Sequence, residues 1–141
     1  VGLYSPVPII RKALQLVEDK PFLLLDSPPG ISCSFLATVE TADFVVLVTE
    51  PTPFGLNDLQ LSVETLQKKN IPCGVVVNRA GLGNDDVYRW LTDKNIPLLL
   101  EIPFDKEIAK VYSTGGLVYD QLPKYKELFD TLLTVSLKKP L

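Results

Sequence analysis

The sequence contains no histidine and no methionine, and only two cysteines. Without imidazole, every mechanism that needs histidine as base, proton shuttle or ligand is excluded, including Ser-His-Asp and Cys-His catalysis and most zinc sites. Cys33 and Cys73 form no C-x-x-C pair, and no secretory segment accompanies them. Free thiols in a reducing cytoplasm are therefore expected rather than a disulfide. The missing methionine gives the expectation that residue 1 follows processing or lies inside a longer protein. Long apolar runs are lacking as well: FLLL, FVVLV, CGVVV and PLLL fall far short of the roughly 18 residues that a spanning helix needs, so no membrane span is expected. Nor is there an excess of positive charge. The net charge is −3, and the lysines are scattered except at the C-terminal LKKP. No basic field for nucleic acid results, and direct DNA or RNA binding is disfavoured.

What is present is apolar material in short blocks. With 46% hydrophobic residues in 141, the chain can bury one core, and a single domain over residues 1–141 is expected. SPVPIIRKALQLVEDK opens with Ser5 and Pro6 as an N-cap and first helical position would, and sets Ile9, Ile10, Ala13, Leu14 and Val17 at helical spacing. Four blocks follow that are apolar throughout and end in polar or turn residues: Phe22–Asp26, Phe44–Thr49, Cys73–Asn78 and Pro97–Ile102. Such runs suit parallel strands covered on both faces.

Between them, FGLNDLQLSVETLQKKN puts Leu56, Leu59, Val63 and Leu66 on one helical stripe. NDDVYRWLTDKN, with an Asn cap, does the same for Val87, Trp90 and Leu91. A last helix, from about Leu122 to Leu137, carries Tyr125, Leu128, Leu132 and Val135. The alternation gives an α/β fold: a mostly parallel, open sheet of about four strands with helices on both faces, right-handed crossovers, and ligands expected beyond the carboxyl ends of the strands.

The candidate site residues sit at those ends, and each has a plain structural reading beside the functional one. Asp26, closing FLLLD before Ser27-Pro28-Pro29-Gly30, stands where P-loop nucleotidases keep the carboxylate that holds magnesium through water; it also suits a turn or a helix cap. Gly30 could bring a backbone N–H to a γ-phosphate or simply permit the turn. In VTEPTPFG, Glu50 and Thr52 would project from a stiff loop, or else merely face water, which composition alone favours. In GVVVNRAG, Asn78 offers a donor and an acceptor to a purine edge and Arg79 could stack or pair with an anion; alternatively they are a turn residue and a surface charge. Pro103 and Phe104 could wall a base, and Asp105 caps the following helix under either reading, with TGG as its stop. Cys33 reads more readily as an inert small residue than as a thiol near phosphate or a dimer surface.

Taken in order, LLLDSPPG, ADFVVLVTEPTPFGLNDL, GVVVNRAG and EIPFDKEIAKVYSTGG resemble the second half of the MinD/ParA/Mrp class of P-loop ATPases. They are most similar to MinD-superfamily ATPases with an inserted ferredoxin domain, also described as cobyrinic-acid-synthase-like nucleotide-binding proteins. The resemblance implies a partial P-loop NTPase fold, with Asp26 in Walker B, DSPPG as switch II, Asn78 reading adenine beside Arg79, and Ile102–Asp105 bordering base and ribose. It further implies Mg-ATP as ligand, a dimer that sandwiches two ATP molecules, and [4Fe–4S] clusters in the insert.

No G-x-x-x-x-G-K-[ST] loop occurs, however, and two isolated cysteines cannot ligate a cluster. The expectation is therefore the C-terminal part of such an ATPase, partnered by its own N-terminal half, inactive in ATP hydrolysis alone and prone to self-association through an open sheet edge. The alternative is a nucleotide-incompetent interaction module of the same fold. An amidotransferase-type synthetase acting on a corrinoid would need a substrate domain that this chain lacks.

Overall fold

The computed structural model describes residues 5–17 and 22–137. In chain order the elements are α1 (Val7–Gln15), α2 (Cys33–Val39), β1 (Val45–Thr49), α3 (Pro53–Lys68), β2 (Cys73–Ala80), α4 (Asp86–Asp93), β3 (Leu98–Pro103), α5 (Lys106–Ser113), α6 (Val118–Gln121) and α7 (Pro123–Leu137). The sheet has three strands among the described residues, in the order β1-β2-β3 and all parallel. Leu47 stands beside Val75, and Val75 beside Leu98. β2 is central, and its Val75, Val76 and Val77 are buried in succession, as a strand covered on both faces requires.

The helices flank this sheet by burying the stripes their sequences carry. Leu59, Val63 and Leu66 of α3 and Val87 and Leu91 of α4 join Val45, Leu47, Val75 and Val77 in one core, to which α2 adds Phe35 and Val39. The α3 stripe repeats at intervals of three and four residues, so its turns all present apolar side chains to the sheet. A second, smaller cluster of Val111, Val118 and Tyr125 joins α5, α6 and α7, with Leu128 and Phe129 packed on it. α7 also lies against β3.

Three expectations need correction. Helix α1 begins at Val7, with Pro6 rather than Ser5 at the N-cap; Ser5 Oγ still accepts a hydrogen bond from Val7 N–H at 3.4 Å. The end of that stretch, Glu18–Lys20, lies outside the described residues, as do the Lys and Pro residues of LKKP. The cap of α4 is Asp85, while Asn84 Oδ1 accepts from Asp86 N–H in the turn before it.

The third correction is the largest. Phe22–Asp26 forms no strand, so the sheet has three strands where about four were expected. A strand exists only through pairing, and this run finds no ladder partner among the described residues. Leu24 is 83% exposed, and Phe22 and Leu23 are exposed with it. The outer edge of β1 is likewise unpaired among the described residues, and its Val48 is 65% exposed.

Candidate functional site

Because the strands are parallel, the loops after β1, β2 and β3 emerge on one edge of the sheet. The loop after β1 is stiffened from within. Thr52 Oγ1 accepts from Gly55 N–H at 3.0 Å and so caps α3, with Pro53 in the first helical position. Thr49 Oγ1 donates to Gly55 C=O at 2.9 Å. A Cβ on Gly55 would stand 2.4 Å from the Glu50 carbonyl oxygen, so only glycine allows this closure. Thr52 is therefore half-buried and engaged in capping rather than projecting, whereas Glu50 reaches across to the next loop.

That next loop begins with a local distortion. Arg79 is held at φ 55°, a left-handed conformation that arginine seldom adopts, where the β2–β3 register shifts between Asn78 and Ala80. Asn78 Oδ1 accepts from Arg79 N–H at 3.0 Å, which orients the amide and leaves Nδ2 as a two-hydrogen donor. The Arg79 guanidinium meets Glu50 through two contacts, Nε to Oε1 at 3.3 Å and Nη1 to Oε2 at 3.4 Å. Gly83, at φ 83°, presses its α-carbon on the Pro51 carbonyl: an added Cβ would stand 1.8 Å from that oxygen. Asn84 N–H donates to the same carbonyl at 3.3 Å. The two loops are thus clasped by an ion pair, a backbone bond and a close backbone approach.

The loop after β3 is anchored twice. Phe104 N–H donates to Ala80 C=O at 3.0 Å, which ties it to β2, while the Phe104 side chain stays 50% exposed beside Pro103. Asp105 caps α5 as its sequence predicts, Oδ1 accepting from Glu107 N–H at 2.8 Å. Its other oxygen accepts from Lys124 Nζ at 2.8 Å and from Tyr125 OH at 2.6 Å. The Lys124 ammonium, then the Tyr125 hydroxyl, hold the Asp105 carboxyl down to about 2. Lys124, which also reaches Glu107 at 2.6 Å, is pushed upward by Asp105 first and Glu107 second. Burial, then the bond to Asp105, raises the Tyr125 phenol.

The expected site residues therefore fall into two groups. Glu50, Thr52, Asn78, Arg79, Pro103, Phe104 and Asp105 line one connected edge. Asp26, Ser27, Pro28, Pro29 and Gly30 form a separate, largely exposed segment leading to α2, and among the described residues no hydrogen bond or ion pair joins them to those loops. Gly30 has φ 78°, so the turn there requires glycine although space is open around it. Ser32 caps α2, accepting from Phe35 N–H at 3.3 Å, so Asp26 is not that helix's cap.

Lys124, Tyr125, Gly83 and Asn84 were not expected at this edge. Tyr125 carried one signal: a phenol on the apolar stripe of a helix must find a partner for its hydroxyl when buried. Among the described residues no group of three or more His, Cys, Asp or Glu side chains stands together as a metal cluster, and no helix is long and apolar enough to cross a membrane.

No family model matches the chain. An uncharacterized protein of Methanocaldococcus jannaschii is 35% identical over 106 residues, covering 74% of this chain and 36% of that one. The iron-sulfur cluster carrier protein of Rickettsia felis is 32% identical over 126 residues, covering 86% of this chain and 36% of that one. Among solved structures, the cell division ATPase MinD of Pyrococcus furiosus superposes with a TM-score of 0.71 at 25% identity, over 89% of this chain and 56% of that one. The chain has the fold of the MinD/ParA P-loop ATPases over most of its length and is similar in sequence to iron-sulfur cluster carrier proteins. Its three-stranded parallel sheet with flanking helices is that fold in part. It spans 36% of the length of each of the two curated relatives.

Proposed function

We propose that residues 1–141 supply the Walker B, switch and base-bordering edges of an ATP site that sequence outside them completes, in a MinD-like ATPase concerned with iron–sulfur clusters. One observation carries the reading. Phe22–Asp26 has the composition of a strand buried on both faces, yet Phe22, Leu23 and Leu24 are exposed, and the β1 edge of the sheet is unpaired among the described residues. Exposing such a run is unfavourable, by roughly 1.5–3 kcal/mol for each large apolar side chain, and a parallel strand from elsewhere in the protein would cover it. That strand is also where a phosphate-binding loop would begin.

In this reading the exposed carboxylate of Asp26 suits magnesium, a hard cation that takes one or two carboxylates together with waters and phosphate oxygens. Asn78 Nδ2 donates to the base, and Pro103 and Phe104 form its wall. Magnesium would neutralise charge on the transferred phosphoryl group. The chain's own residues orient the nucleotide, and hydrolysis proceeds by water attack on the γ-phosphate, driven by positioning and electrostatics. The ATPase works as a homodimer, two copies facing each other across the nucleotides. The cysteines here do not suit a cluster: Cys33 is exposed at the start of α2 and Cys73 half-buried at the start of β2. Any [4Fe–4S] centre belongs to sequence outside these residues.

Turnover tests the reading. The full-length protein is expected to hydrolyse Mg-ATP and to lose that activity in Asp26→Ala, while residues 1–141 alone hydrolyse none. Turnover by the 141-residue chain, or an unchanged rate in Asp26→Ala, would refute it.

A further inference from the structure

We infer that Lys124 and Tyr125 are positioning residues for the base-bordering loop: they clamp Asp105 to α7 and thereby fix where Pro103 and Phe104 stand. The inference rests on the nucleotide reading above and gives Asp105 a different part in it. All three of its bonds are internal, Oδ1 with Glu107 N–H at 2.8 Å, and Oδ2 with Tyr125 OH at 2.6 Å and Lys124 Nζ at 2.8 Å. A carboxylate that already accepts from three protein donors serves a nucleotide by holding its loop in place.

Tyr125 is a firm anchor because the residue is only 5% exposed, packed in the cluster with Val111 and Val118. Lys124 adds a charge-assisted bond and bridges the like charges of Asp105 and Glu107. On the other side, Phe104 N–H is bonded to Ala80 C=O at 3.0 Å. The loop is therefore held at one end by β2 and at the other by α7, and the exposed Phe104 ring lies between the two anchors. A wall pre-set in this way need not be ordered when a base arrives, which favours binding. Removing the α7 anchor restores that ordering cost, and only for ligands that carry a base.

The test uses the full-length protein and two probes, Mg-ATP and Mg-triphosphate, titrated calorimetrically. Tyr125→Phe keeps the buried ring and removes one donor. Lys124→Met keeps the stem at an exposed position, so it tests the clamp even if Tyr125→Phe fails to fold. Each variant is expected to weaken Mg-ATP by at least about fivefold while leaving Mg-triphosphate unchanged, and Lys124→Arg, which keeps a charged donor, is expected to restore ATP binding. A parallel loss for both probes would reduce the clamp to a structural bond, and no loss for either would remove it; both results overturn the inference. Asn78→Ala separates the two levels. If it weakens ATP binding while the clamp variants do not, the clamp alone fails; if neither it nor they have any effect, the nucleotide reading fails and the clamp with it.

Discussion

Leu24→Ala should cost little in the 141-residue chain and much in the full-length protein. Full burial of a leucine contributes about 1.5–3 kcal/mol, but Leu24 is 83% exposed, so only about a fifth of that gain is present to be lost. The expected destabilisation of the 141-residue chain is about 0.3–0.5 kcal/mol, or roughly 1–3 °C in Tm for a domain of this size. If a neighbouring strand covers the run in the full-length protein, the same change removes buried methyl groups and leaves a cavity, at about 2–5 kcal/mol. Leu66→Ala is the internal reference: Leu66 is fully buried in the α3 stripe, and its truncation should cost about 2–5 kcal/mol in both proteins. Urea unfolding followed by far-UV circular dichroism measures all four differences. A loss above about 1.5 kcal/mol for Leu24→Ala in the 141-residue chain would mean that the run is packed there. A loss below 1 kcal/mol in the full-length protein, on the same scale, would mean that nothing covers it, and the argument for a completing strand would fail.

Gly83→Ala should destabilise by about 2–4 kcal/mol, because the new methyl meets the Pro51 carbonyl in a backbone that alanine also strains. Gly81→Ala, at φ 89° with open space around it, should cost only about 1 kcal/mol, and equal losses in chemical denaturation would contradict the clasp. Asp105 has its carboxyl at about 2 instead of the ordinary 3.8, so the folded chain binds fewer protons in that window and stability falls as pH drops from about 4 towards 2. Asp105→Asn should flatten that part of the pH profile of urea midpoints; an unchanged slope would show that the clamp does not form. Cys33 is exposed, whereas Cys73 is half-buried with its thiol pushed up by burial, so mass spectrometry should find maleimide on Cys33 first. Equal labelling of the native chain would contradict the burial of Cys73.

The parts of the fold legible in the sequence are those that local pattern determines. Val45–Thr49 and Cys73–Ala80 are strands because β-branched runs lie between helices whose stripes cover them. Leu59, Val63 and Leu66 announce the buried face of α3, and Asp105 announces the cap of α5. Phe22–Asp26 misleads for a physical reason. Its composition records what burial it suits, but strand formation depends on a ladder partner, and composition carries no information about one. The left-handed Arg79 has no local signal either, since arginine is not a turn former; the register shift opposite β3 imposes it. The contact of Asp105 with Lys124 and Tyr125 crosses 19 and 20 positions of chain, beyond the reach of periodicity, although the phenol on the α7 stripe hints that a partner exists.

Whether these residues complete a magnesium–nucleotide site is decided by calorimetric titration of Mg-ATP into the full-length protein, its Asp26→Ala variant and the isolated 141 residues. Saturable binding to the full-length protein is expected, with strong loss of it in Asp26→Ala and no binding to the 141 residues alone. Binding that survives Asp26→Ala unchanged would contradict the magnesium role, and a full-length protein that binds no nucleotide would leave an interaction module of the same fold as the function of these residues.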